Sequence, residues 1–146
     1  MSEELEAQRA LIAAEALCTA RGGALNAPGR RVLRALLAAE RPLKAYDLIH
    51  ILAADSRSAA PPTVYRALKF LTEMGLAHRV ESQNAYVACR FPEAAHTAGF
   101  RVCPRCGAAE EFKLDPGSID APDRRPTVRI VFEAHAICAA CEIEGG

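Results

Sequence analysis

PPTVYRALKFLTEMGLAHRVESQNAYVACR, residues 61–90, changes its hydrophobic period at Gly75. Before the glycine, Val64, Leu68 and Leu71 recur at helical spacing, with Ala67 and Met74 beside them. Tyr65, Arg66, Lys69 and Thr72 lie off that stripe. Pro61 and Pro62 suit the first turn of a helix, and Gly75 stops it. Beyond the glycine, LAHRVES and NAYVACR alternate apolar and polar residues about Gln83 and Asn84, which is the pattern of a β-hairpin.

Working back from this stretch, the chain reads as helices. Glu3 to about Ala20 forms the first, with Leu5, Leu11, Ile12 and Ala16 at helical spacing, and Gly22-Gly23 ends it. Asn26 can cap the second, with Pro28 in its first turn and Val32, Leu33, Leu36 and Leu37 as its apolar stripe. Glu40-Arg41-Pro42 ends that helix. Ala45 to Ala54 is the third, with Leu48, Ile49, Ile51 and Leu52 inward, and SRSAA after it is a turn of small residues. Helices followed by a hairpin are the order of a winged helix, whose last helix enters the major groove with the hairpin beside it. This predicts a DNA-binding domain over residues 1–91.

Working forward, FPEAA (91–95) is a linker, and residues 92–97 are expected to act as a hinge. FRVC, EEFKL and TVRIVFEAHAIC are strand-like, while DPGSIDAPDRRP (115–126) holds at most a short helical turn. Residues 98–146 therefore form a second, smaller α/β domain, and the whole chain is α+β.

The chain has 146 residues, 51% of them apolar, and no net charge. Residues 1–91 hold 12 Lys/Arg against 9 Asp/Glu, and residues 92–146 hold 6 against 9, so the basic excess lies with the winged helix. The N-terminus is acidic and amphipathic, unlike a signal peptide, and no apolar run reaches the ~18 residues of a membrane span. A soluble, cytoplasmic protein is expected, and in that reducing setting paired cysteines point to metal binding or redox chemistry.

Of six cysteines, four form matched pairs: Cys103-x-x-Cys106 and Cys138-x-x-Cys141, with 31 residues between the pairs. Four thiolates suit a tetrahedral zinc ion. In CPRCG a tight turn aims backbone N–H groups at sulfur, and Gly107 lets it close. A structural zinc can supply of order 10 kcal/mol to a small domain with little core. The alternative is a pair of thiol–disulfide switches, which would place a CxxC at a helix start near a βαβ unit; neither pair reads that way. Cys18 reads as a buried helix residue.

If Gln83 and Asn84 form a two-residue turn, His78 falls opposite Cys89 on one face, at about 5 Å between Cβ atoms. The same face carries Leu76, Val80 and Val87, so a core histidine beside a core cysteine is the competing interpretation. His96 and the pair Glu110-Glu111 can complete a mixed nitrogen, sulfur and oxygen site. On the last helix, Arg66 suits guanine O6 and N7, Tyr65 a thymine methyl or phosphate, and Lys69 shares their face. Tyr46, Arg30, Arg31 and Lys44 can hold the DNA backbone. An ordinary amphipathic helix with a solvated basic face is the alternative.

AYDLIHIL, PPTVYRALKFLTEMGLAHRVES, NAYVAC, FRVCPRCGAAEEF and EAHAICAAC together resemble the ferric uptake regulator family of metal-responsive repressors, from about Leu25 to Cys141. Iron- and peroxide-sensing members have a His-His-Asp-His run before the first CxxC, where this chain reads EAAHTAGFRVC with His96 alone. The chain looks most like the zinc-sensing branch, whose sensor takes a His and a Cys from the wing, a His from the hinge and a Glu five residues after the first CxxC. His78, Cys89, His96 and Glu111 fill those positions, and a soft thiolate favours zinc over iron(II). The resemblance implies a repressor of zinc-uptake genes that binds double-stranded operator DNA as a homodimer. It implies two zincs per chain, a structural one at Cys103, Cys106, Cys138 and Cys141 and a regulatory one at the mixed site. No catalysis, membrane or small organic substrate is implied. His135 is expected to be structural, and the proline-rich segment to shorten the family's dimerisation helix. An iron or peroxide sensor of the same family, or a CxxC redox protein, are the alternatives.

Overall fold

Asn26 accepts a hydrogen bond from the Gly29 N–H at 2.8 Å in the computed structural model, and with Pro28 in the first turn it starts α2 (Ala27–Ala38). The structure describes residues 2–54, 60–115 and 130–145. Its contacts divide the chain into two units, Met1–Glu93 and Ala94–Gly146.

The first unit contains α1 (Ser2–Ala20), α2, α3 (Ala45–Ala53), α4 (Pro61–Glu73) and the strands β1 (Ala77–Val80) and β2 (Ala85–Ala88). Val32, Leu48, Leu52, Val64, Leu68, Leu71 and Val80 form its centre, each almost fully buried. The stripes expected for α2 and α4 are the buried ones, with Leu37 and Met74 at their margins. Two helices differ from expectation. On α1 the buried residues are Leu11, Ala14 and Cys18, while Leu5, Ile12 and Ala16 face solvent. The small side chains of Ala14 and Cys18 let α1 approach its neighbour α2, and the bulkier stripe is turned outward. On α3, Ala45, Leu48 and Leu52 make the buried row, so Ile51 falls outside it.

Gly75 ends α4 in the left-handed region (φ +74°), where a side chain is disfavoured. The N–H of Leu76 then donates to Leu71 O at 2.8 Å, a Schellman turn that leads directly into the hairpin. Leu43, ahead of α3, exchanges two backbone hydrogen bonds with Tyr86 at 2.9 and 2.7 Å, bracing the open edge of β2.

In the second unit, β3 (Thr97–Val102) is central, with β4 (Ala109–Leu114) antiparallel on one side and β5 (Glu133–His135) parallel on the other. Gly99 lies opposite Phe112, whose ring occupies the space a side chain there would need. Phe112 meets Phe132 edge to face at 5.7 Å. The strand-like runs FRVC and EEFKL form as read, although β3 begins earlier, within the segment assigned to the hinge. A short helix, α5 (Ala139–Gly145), closes the chain and was not anticipated. SRSAA apart from Ala60, and residues 116–129 with most of DPGSIDAPDRRP, lie outside the described residues.

Candidate metal centres and nucleic-acid interface

Cys103 follows the last residue of β3, Cys106 sits in the turn to β4, Cys138 precedes α5 and Cys141 lies within it. The four sulfurs all lie within 4.8 Å of one another, and Cys106 Sγ is 3.7 Å from Cys138 Sγ. The turn closes as its sequence predicts. Gly107 adopts φ +81° and its N–H donates to Cys103 O at 2.9 Å, while Cys103 N–H donates to Ala108 O at 2.9 Å. Backbone N–H groups also meet sulfur: Ala108 N–H reaches Cys106 Sγ at 3.5 Å, and Cys138 N–H reaches Cys103 Sγ at 3.4 Å.

Backbone N–H groups favour the thiolate at Cys103. Bonds from Cys106 and Cys138 lower it to about 6, against an ordinary value near 9. Cys141 is pushed the other way, up to about 12, by burial and then by hydrogen bonds with the other three thiols. Four sulfurs this close cannot all be thiolates unless a cation offsets their charge. A four-sulfur set closed to other ligands fits zinc in a structural role.

One expectation is corrected here. The second pair does stand at a helix start, because α5 begins between Cys138 and Cys141. That placement alone would suit a redox motif. Convergence of all four sulfurs is what a metal site requires, and two independent switches do not require it.

The hairpin corrects another. Its loop is not a two-residue turn: Glu81–Gln83 forms a 3-10 turn, and Asn84 closes it in the left-handed region (φ +49°). The pairing is therefore Val80 with Ala85 and His78 with Val87. Cys89 lies opposite Leu76, to whose carbonyl its N–H donates at 2.8 Å. The pairing has moved by two positions, and an even shift keeps every side chain on its original face. His78 and Cys89 are diagonal neighbours on one face, their ligand atoms within 4.8 Å.

In the second unit, His96 Nε2 lies 2.6 Å from Glu111 Oε2. Both side chains are withdrawn from solvent, with 10% and 3% of their surface exposed. Burial by itself would lower the His96 pKa. Hydrogen bonds to Ala94 O and to Glu111 outweigh it, and the value is raised. The Nδ1 atom faces Ala94 O at 3.0 Å, so an Nδ1–H donated there leaves Nε2 as the nitrogen able to bind metal. Nothing in the sequence pattern points to this backbone partner.

On the helical side of the first unit, Tyr65, Arg66 and Lys69 are exposed on α4, with Tyr65 56% accessible. Tyr46 is 68% exposed near the start of α3 and packs edge to face with His50 at 4.4 Å. Lys44, the residue before α3, is exposed too, its N–H donating to the Asp47 carboxylate at 2.9 Å. Two expected phosphate contacts are otherwise engaged. Arg30 forms an ion pair with Glu15. Arg31 donates from Nη2 to Leu52 O at 2.7 Å, capping the end of α3. Sequence reading also passed over Arg21, which donates to two distant backbone carbonyls. A basic residue directly before Gly22-Gly23 was the available signal.

Comparison with known proteins gives a consistent result. The model of the ferric uptake regulator family matches residues 23–125. The zinc uptake regulation protein of Escherichia coli (strain K12) is 38% identical over 149 residues, covering 97% of this chain and 87% of that protein. A structure of a zinc uptake regulator complexed with zinc and DNA superposes with a TM-score of 0.86 at 38% identity, over 96% of this chain and 98% of the other. The crystal structure of holo XcZur gives 0.74 at 34% identity, over 91% and 96%.

Proposed function

Because the chain belongs to the ferric uptake regulator family, we propose that it is a zinc-responsive, DNA-binding transcriptional repressor that controls zinc-uptake genes. The observation that carries this reading is the pairing of metal-binding side chains at the two ends of the linker. His78 and Cys89 share one face of the hairpin in the first unit, and His96 and Glu111 meet at the start of the second.

In this reading the four side chains are the sensor, and Cys103, Cys106, Cys138 and Cys141 are a separate structural site. Bound at these residues, zinc would supply a divalent charge that favours the thiolate form of the cluster cysteines, their protons passing to solvent, and would suit the mixed nitrogen, sulfur and oxygen set without redox change. Cys89 provides the soft donor. His96 is oriented by Ala94 O, and Glu111 adds negative charge. The four cluster cysteines hold the turn after β3 to the start of α5, tying down a unit with few large core residues. Engagement of both pairs restricts the linker and so the spacing of two α4 helices in a homodimer, which must meet major grooves about 34 Å apart.

The exposed Phe132 and Ile137 flanking β5 and the exposed Ile143 on α5 support association of two copies through the second unit. Tyr46, Tyr65, Arg66, Lys69 and Lys44 are the DNA-facing residues, with Arg30 available only once its pair with Glu15 opens. No helix among the described residues is long and apolar enough to cross a membrane. We assign the protein to the cytoplasm, where its operator lies, and assign it no catalytic step.

The test is zinc content per chain before and after mild chelation, with binding to duplex DNA that the zinc-loaded protein selects from a random pool. Two zincs falling to one, with loss of binding, is the expected result. One zinc throughout, with binding indifferent to chelation, would remove the sensor and leave the four-cysteine site.

A further inference from the structure

Helices α1 and α4 end in the same way, and a single side chain joins their ends. On α1, Gly22 (φ +82°) donates to Thr19 O at 3.2 Å and Gly23 donates to Cys18 O at 2.8 Å. On α4, Gly75 donates to Thr72 O at 3.1 Å and Leu76 to Leu71 O at 2.8 Å. Both are Schellman turns, in which the residue before the left-handed glycine is the cap of the helix. That residue is Arg21 on α1 and Met74 on α4.

An arginine at a helix end can hydrogen-bond the last carbonyls of its own helix. Arg21 instead donates from Nη1 to Met74 O, and from Nη2 to Pro92 O at 2.6 Å. The first acceptor is at the negative end of α4, where a cation is favoured. The second lies in the linker, three residues after Cys89 and four before His96. A residue needed only to finish α4 would have no use for the second contact. The planar fork of a guanidinium can hold both carbonyls at once, which a single ammonium cannot do with the same geometry.

We propose that Arg21 is a positioning residue that ties the linker to the C-terminal end of α4, so that metal binding at Cys89 and His96 reaches the DNA-facing helix through it. This rests on the sensor reading above. The clasp lies wholly within the first unit, so it fixes the point and direction from which the linker leaves that unit. Without it the segment between Cys89 and His96 gains freedom on its α4 side, and ordering the linker no longer orders the helix.

The experiment compares full-length wild type with Arg21→Met and Arg21→Lys. It uses duplex DNA selected by the zinc-loaded wild type and measures affinity with the sensor loaded and with it stripped. Arg21→Met keeps much of the stem and removes the donors. It is expected to weaken loaded binding ~5–20-fold, inside the usual range of coupling between sites, and to change stripped binding less than about twofold. Arg21→Lys restores the charge and a single contact, and falls between the two. An equal loss in both states would make Arg21 merely structural and overturn the proposal. An unchanged loaded-to-stripped ratio, or full rescue by lysine, would overturn it as well. If Arg21→Met does not fold, Arg21→Lys decides alone by the same ratio. Zinc-independent binding by wild type would remove the sensor reading and this proposal together, whereas a zinc-dependent wild type with an unaltered variant ratio removes only the clasp.

Discussion

His96 Nε2 stands 2.6 Å from Glu111 Oε2, and both side chains are nearly closed to solvent. The histidine is held from behind by Ala94 O, so the pair is oriented before any ion arrives. Glu111→Gln keeps the shape and the hydrogen bond but removes the charge. Sensor zinc affinity is expected to fall about tenfold or more, since loss of even a supporting partner costs roughly 10–100-fold. The four-cysteine site should stay filled. A chelator-competition titration reads both sites, and unchanged affinity would take Glu111 out of the sensor.

Cys89→Ser tests the other end of the linker. Cys89 is buried beside Leu76, and serine is close in size, so the hairpin should form. The variant is expected to remain folded, hold one zinc per chain and bind selected DNA at the stripped wild-type level whether or not zinc is added. Normal zinc-dependent binding would exclude Cys89.

Cys103→Ser acts on a different property. Cys103 is the sulfur best placed to be a thiolate, since N–H groups of Cys106 and Cys138 point at it. Its loss should empty the four-cysteine site and unfold the second unit, because a structural zinc contributes of order 10 kcal/mol to such a domain. Circular dichroism and sedimentation should show lost strand content and loss of the proposed dimer. A stable, zinc-loaded dimer would contradict the structural assignment.

Arg66→Ala removes an exposed side chain of α4 that makes no core contact. Binding to selected DNA is expected to weaken by about 1–3 kcal/mol, with discrimination relaxed at one or two base pairs. Zinc stoichiometry and melting temperature should be unchanged. Equal affinity for all sequences before and after substitution would show that α4 does not read bases.

Asn26→Ala removes the side-chain acceptor of the Gly29 N–H. A loss of about 1 kcal/mol is expected, which lowers the melting temperature of a unit this size by about 4–8 °C. Metal binding should not change. A smaller shift would mean that Pro28 and the packing of Val32 and Leu33 start α2 without help.

Much of this was legible in the residues themselves. The change of period at Gly75, the stop at Gly22-Gly23, the cap at Asn26 and the spacing within each CxxC pair all act within a few positions along the chain. They depend on backbone dihedrals and on contacts between residues i and i+4, so a short window contains the whole cause. The same holds for the turn at Gly107, where the left-handed conformation needs a residue without a side chain. The face shared by His78 and Cys89 was also readable, because alternation in a strand survives an even shift in pairing.

The rest needed the folded chain. Which stripe of α1 is buried depends on how closely α2 can approach, and Ala14 and Cys18 permit what Leu5 and Ile12 would block. The hairpin register was settled by the conformation of Glu81–Asn84, a 3-10 turn closed by a left-handed residue. The contact of His96 with Glu111 and the reach of Arg21 to Met74 and Pro92 each join atoms from separate parts of the chain. Short-range pattern determined which elements form and which residues can bind metal. Only packing decided which of those residues meet, because those contacts depend on surfaces that exist only once the elements are assembled.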